Sequence, residues 1–144
     1  MTTAAEATTD APAMPAPTGG MNPYLEVDGA LKAADFYAKA FGANTVYRVP
    51  PDEQGRTMHV HLYVNGSSLM LGDPYPDYGH PHQPAAGYTL QLHYAADAID
   101  AAWQRAVDAG CTVEMPLQEM FWGDRWGSMR DPFGVLWAMN APKA

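Results

Sequence analysis

Gly42 and Gly110 lie 68 residues apart, and each closes a helical stripe that follows a short alternating run. In the first copy Tyr24 to Val27 alternates as a strand, with Asp28 at the expected N-cap. Leu31, Ala34, Tyr37, Ala38 and Phe41 follow at helical spacing, Gly42 supplies the stop, and Val46 to Val49 resumes as a strand. In the second copy Leu90 to His93 alternates and Asp97 stands as the cap. Ile99, Ala102, Trp103 and Ala106 form the stripe, and Gly110 precedes a strand at Cys111 to Val113. Each copy then adds a hairpin. Met58 to Val64 turns at Asn65-Gly66 into Ser67 to Leu71, and Trp126 to Arg130 turns at Asp131 to Gly134 into Val135 to Met139. Both halves read β-α-β-β-β. Two copies of one supersecondary unit bury their apolar faces against each other. The expectation is an α+β fold of two paired modules.

The repeat leaves two stretches unaccounted for. Residues 1–20 are Ala-, Thr- and Pro-rich, too poor in large apolar groups to offset the entropy of ordering, and read as a disordered tail. Glu6 and Asp10, with no basic start and no apolar run, exclude a secretory signal there. Residues 73–87 hold four prolines and two glycines, which cannot carry a helix or a central strand. Module one is therefore 21–73, the linker 74–86 and module two 87–142, in a single domain. Eight Lys and Arg against sixteen Asp and Glu give a net charge of −8, which argues against binding nucleic acid. No apolar run reaches the ~18 residues of a membrane span. One cysteine, Cys111, forms no internal disulfide and reads as a small buried hydrophobe. These features fit a small acidic cytoplasmic protein.

The early run Asp28 to Ala43 (D-G-x-x-x-A-x-x-F-Y-x-x-x-F-G-A) and the late run Phe121 to Trp137 (F-W-G-D-R-W-G-x-x-x-D-P-F-G-x-x-W) resemble the vicinal oxygen chelate superfamily. That superfamily holds the glyoxalases, bleomycin-resistance proteins and extradiol dioxygenases. Within it the nearest likeness is to the PhnB-like branch, and it covers about residues 21–142. The resemblance implies sheets curled into a cup, with the helices outside. It also implies, in metal-bearing members, His or Glu ligands from the first and fourth strands of each module. Those positions map to Asn22, Met70, Thr89 and Ala138, none of them His or Glu. Zinc and its neighbours want three or more nitrogen or carboxylate ligands, so the expectation is no metal and no cofactor.

Alternation also assigns the lining. The aliphatic residues of each strand belong under the helices, Met58, Val60, Leu62 and Val64 among them. Tyr24, Glu26, His59, His61, Tyr63, Met70, Gln91 and His93 then share the opposite face. Phe121, Trp122 and Trp126 are placed at its rim. The expected ligand-binding residues are Tyr24, His59, His61, Tyr63, Met70, Gln91, His93, Trp122 and Trp126, and an aromatic lining with a few polar groups suits a small molecule. Three bland alternatives stand beside this. The three His also read as a wet sheet face, Tyr24 and Trp122 as core at a seam, and the Trp-Gly-Asp-Arg run as purely structural, with Asp124 pairing with Arg125 or Arg130.

Three functions remain open. One is a binding module that sequesters an aromatic or hydroxylated ligand, as resistance-type relatives do. Another is a glyoxalase- or dioxygenase-type enzyme with a displaced metal, drawn from His59, His61, His93 and Glu26. The third is a metal-independent enzyme in which His59 or His93 works with Glu26 as acid–base pair. No Gly-rich turn of the usual S-adenosylmethionine enzymes is visible. The expected partners are a small molecule and a second copy of the chain.

Overall fold

Period-two alternation and turn chemistry build two four-stranded mixed sheets in the computed structural model, which describes residues 14–144. Module one holds β1 (Tyr24–Glu26), α1 (Ala30–Phe41), β2 (Asn44–Arg48), β3 (Val60–Val64) and β4 (Ser67–Gly72). Module two repeats them as β5 (Leu90–His93), α2 (Ile99–Ala109), β6 (Thr112–Glu119), β7 (Arg125–Arg130) and β8 (Leu136–Ala141). The strand orders are β1-β4-β3-β2 and β5-β8-β7-β6, with the first and last strands of each module parallel and the others antiparallel. Asn65 at φ 50° and Gly66 at φ 82° make the two-residue β3–β4 turn whose twist matches its strands.

The aliphatic set divides as alternation requires: Leu25, Val60, Leu62, Leu69, Leu71 and Leu92 are all buried. Met58 departs from that set. It precedes β3 rather than belonging to it and is 69% exposed. The modules share one core, in which the Trp137 ring centroid lies 4.3 Å from that of Phe41 and 5.1 Å from that of Tyr37. Asp131 ties the same seam. Its Oδ2 accepts from the Tyr37 hydroxyl at 2.5 Å and from Trp137 Nε1 at 2.9 Å. Its Oδ1 accepts the Phe133 and Val135 N–H groups at 2.8 and 2.9 Å.

Several local expectations are corrected. Neither Asp28 nor Asp97 caps a helix, since the N-cap positions are Gly29 and Ala98 and carry no side-chain cap bond. The acceptor for α1 comes from the end of β4 instead. Asp73 Oδ1 takes the Gly29 and Ala30 N–H groups at 2.7 and 3.0 Å, while Oδ2 takes that of Thr57 at 2.8 Å. The sixth strand runs on past Val113 to Glu119, with two irregularities in its pairing around Pro116. Asp124 pairs with neither arginine: it accepts from Asn140 Nδ2 at 3.1 Å, while Arg125 binds Asp100 and Arg130 binds Glu114. Within that late run Gly127 is sterically required. A Cβ there would stand 2.6 Å from the Trp103 ring. The linker carries one 3₁₀ turn, Pro76–Tyr78, beneath a single bridge between Tyr75 and His80. Of the expected tail, residues 1–13 lie outside the described residues. Within residues 14–20, the Thr18 N–H and the Ala16 carbonyl are hydrogen-bonded to Ser68 of β4 and Tyr63 of β3.

Candidate functional site

Register places the expected lining on the faces turned away from the helices. Across sheet one, Tyr24 stands opposite Met70, Met70 opposite His61, and His61 opposite Tyr47. Tyr63 stands opposite Ser68 in the next row. Across sheet two, Gln91 lies opposite Ala138 and His93 opposite Asn140, which in turn faces Trp126. Paired residues share a face, so one side of each sheet carries the aromatic and polar groups.

Three clusters form on these faces. In the first, the Tyr24 hydroxyl donates to the Met58 carbonyl at 2.8 Å and lies 2.9 Å from His59 Nδ1. With the single phenolic hydrogen given to the carbonyl, Nδ1–H of His59 donates to Tyr24 and Nε2 keeps a free lone pair. Burial pushes the His59 pKa below its ordinary value, and the neighbouring His61 lowers it further. Burial likewise raises that of Tyr24, with Tyr75 adding to it. In the second, His61 is 1% exposed, with Nε2 2.8 Å from Ser68 Oγ and its ring edge-on to Tyr63 at 5.0 Å. Its burial overturns the wet-face alternative for that histidine. In the third, Trp126 Nε1 donates to Gln91 Oε1 at 3.0 Å. The Trp122 ring lies 6.3 Å from that of Trp126, and Phe121 is 4.9 Å beyond.

A cavity of about 520 Å³ opens between β4 and β5, lined by Met21, Pro23, Ser68, Thr89, Gln91 and His93 among others. Of the expected residues it gathers only Gln91 and His93. Tyr24, His59, His61, Tyr63, Met70, Trp122 and Trp126 stand outside it on the same two faces. Among the described residues neither His59 nor His93 bonds to Glu26, and the hydrogen-bond partner of His59 is Tyr24. Sequence reasoning missed Ser68, which has the parity of Met70, and Asn65, whose amide donates to the His93 carbonyl at 2.9 Å. It also missed a second cavity of about 580 Å³ beside the Asp52–Arg56 ion pair, lined by Val49, Met58, Tyr75, Tyr78 and His80. Those residues sit in loops, where no periodicity marks them.

The donor chemistry does not fit the metal of the wider fold class. Asn22, Met70, Thr89 and Ala138 offer an amide, a thioether, a hydroxyl and a methyl group. Among the described residues no three His, Cys, Asp or Glu side chains converge. Nor, among them, is any helix long and apolar enough to cross a membrane.

Two four-stranded mixed sheets, each built from one β-α-β-β-β module, define the fold class. Residues 25–139 match the model of the Glyoxalase/Bleomycin resistance protein/Dioxygenase superfamily, and the chain belongs to that superfamily. An uncharacterised protein of Mycobacterium bovis is 41% identical over 127 residues, covering 85% of this chain and 82% of the relative. Among solved structures, a Pseudomonas aeruginosa protein is 27% identical with a TM-score of 0.73, over 86% of this chain and 98% of that one. A PhnB protein of Bacillus cereus shares the fold at 22% identity and a TM-score of 0.63, over 85% and 99% of the two chains.

Proposed function

We propose that this protein binds a planar aromatic or hydroxylated small molecule on its inner faces without a metal, as a sequestering protein of the resistance type. The observation that carries the reading is Gln91. Trp126 fixes its side-chain oxygen, and it lines the β4–β5 cavity together with His93. A polar group held by an aromatic beside a recess of mixed polar and apolar lining can orient a ligand, and the adjoining ring offers it contact area. The mismatched donors at Asn22, Met70, Thr89 and Ala138 favour binding without a metal. The PhnB-like branch is the placement we favour, supported by the late Trp-Gly-Asp-Arg motif and the Bacillus cereus neighbour. A homodimer in the cytoplasm completes the proposal. Phe121 is 96% exposed with its ring 4.9 Å from that of the exposed Trp122, Val113 and Met115 are exposed along β6, and apolar groups so placed call for cover.

A catalytic reading has one observation in its favour: a neutral His59 whose Nδ1 is held by the Tyr24 hydroxyl and whose Nε2 keeps a lone pair has the form of a general base. One experiment addresses both. Planar aromatic and hydroxylated compounds are screened by thermal shift, and hits are titrated against wild type, Trp126→Ala and His59→Gln. An anchoring Trp126 costs about 2–4 kcal/mol of affinity when truncated. Turnover of a hit, lost in His59→Gln with affinity kept, selects catalysis. Hits indifferent to Trp126→Ala overturn the binding reading.

A further inference from the structure

His61 sits on the open side of sheet one, where a histidine is ordinarily wet, yet it is 1% exposed. What lies over this region is the chain's own N-terminal segment. The Thr18 N–H donates to Ser68 Oγ at 2.8 Å, and the Thr18 and Ser68 hydroxyl oxygens are 3.3 Å apart. The Tyr63 hydroxyl donates to the Ala16 carbonyl at 2.7 Å. Asn22 then donates its side-chain amide to the Thr18 carbonyl, also at 2.7 Å, which fixes the path by which the segment joins β1. Tyr63 and Ser68 are register partners, and His61 is bonded to the same Ser68 hydroxyl. The segment thus engages the inner-face pair Tyr63 and Ser68, in the row next to His61, and shares the Ser68 hydroxyl with that histidine.

The segment docks without adding a strand. Pro15 and Pro17 have no N–H to give a ladder, and the contacts to the sheet use one backbone N–H, one backbone carbonyl and the Thr18 hydroxyl. Two backbone hydrogen bonds and one longer hydroxyl contact, in partly exposed surroundings, are a light hold on the sheet. Asn22, two residues before β1, is spent on this arrangement. Met21 and Pro23, the residues on either side of Asn22, form one wall of the β4–β5 cavity.

We propose that residues 14–22 form a strap that occupies the module-one half of the inner face and competes there with a bound small molecule. The competition rests on the reading of that face as the ligand site, whereas the docking of the strap does not. A strap in place about nine-tenths of the time weakens apparent affinity about tenfold.

Two measurements test this on the full chain, on a chain lacking residues 2–20, and on Thr18→Pro, which removes the donated N–H and keeps the length. The first is amide exchange at Thr18 with the NMR shifts of Tyr63 and His61. Docking requires a protected Thr18 amide in wild type, and shifted Tyr63 and His61 resonances in both variants. An unprotected amide with unmoved resonances overturns the strap. The second is titration with Nile red, a neutral planar aromatic dye, with Trp126→Ala as the marker of inner-face binding. Competition raises dye affinity about three- to tenfold in both variants. A dye weakened by Trp126→Ala but bound equally or less well after truncation overturns competition. A dye indifferent to Trp126→Ala overturns the ligand-face reading and competition with it, while the Thr18 amide still decides the strap.

Discussion

Burial, reinforced by His61, holds the His59 imidazole below its ordinary pKa, so folding favours its neutral form. The unfolded chain takes up a proton near the usual value of about 6.5, whereas the folded chain resists until lower pH. His59 therefore costs no stability above about pH 6.5 and costs progressively more as pH falls toward its folded pKa. Urea midpoints measured between pH 7.5 and 5.5 should fall on acidification, and His59→Gln should flatten that slope. An unchanged slope would remove His59 as its source. Cys111 shows the same burial effect on a different group: its thiol is pushed up to about 12, first by burial and then by Asp131. It stays protonated and apolar, as the sequence suggested for a residue that follows a helix-ending glycine. The inner-face histidines were legible by parity alone. Their partners were not, because nothing in a strand pattern shows that His59 meets Tyr24 rather than Glu26.

At the scale of elements, α1 owes its start to a carboxyl group more than forty positions downstream in the chain. Asp73 accepts from Gly29, Ala30 and Thr57, joining the helix, the end of β4 and the approach to β3. Asp73→Ala leaves three backbone N–H groups without an acceptor and should cost about 3 kcal/mol in urea unfolding. A loss under about 1 kcal/mol would mean that water substitutes for the carboxylate. The helices themselves were legible from their stripes and glycine stops, and the β3–β4 hairpin from Asn65-Gly66. Their caps were not, since Asp28 and Asp97 are local candidates overruled by tertiary structure. The length of β6 was hidden as well. Pro116 and a run of exposed residues obscure an edge strand, which needs no alternation when it has no buried face. The contacts of Ala16 and Thr18 with the sheet left no mark in the pattern for a related reason: two of the three use backbone groups, and composition reports side chains.

For the whole molecule, the exposed apolar groups Val113, Met115, Phe121 and Trp122 bear on assembly. If a second copy covers them, light scattering at micromolar concentration should return about 31 kDa, twice the 15.6 kDa chain. A mass near that of one chain would leave them without a cover and count against the dimer. The repeat made the two-module architecture readable, but the bond across the seam from Tyr37 to Asp131 has no local signature. That bond has a consequence for the order of events on the ribosome. Module one emerges first, yet the carboxyl that receives its Tyr37 hydroxyl and the indole that packs on Phe41 belong to residues 131 and 137. At ~5–20 residues per second the nascent first module waits on the order of 3–13 s for them. During that interval the Tyr37 hydroxyl of α1 has only water to donate to, and the first copy of the repeat remains an unfinished half whose own sequence cannot complete it.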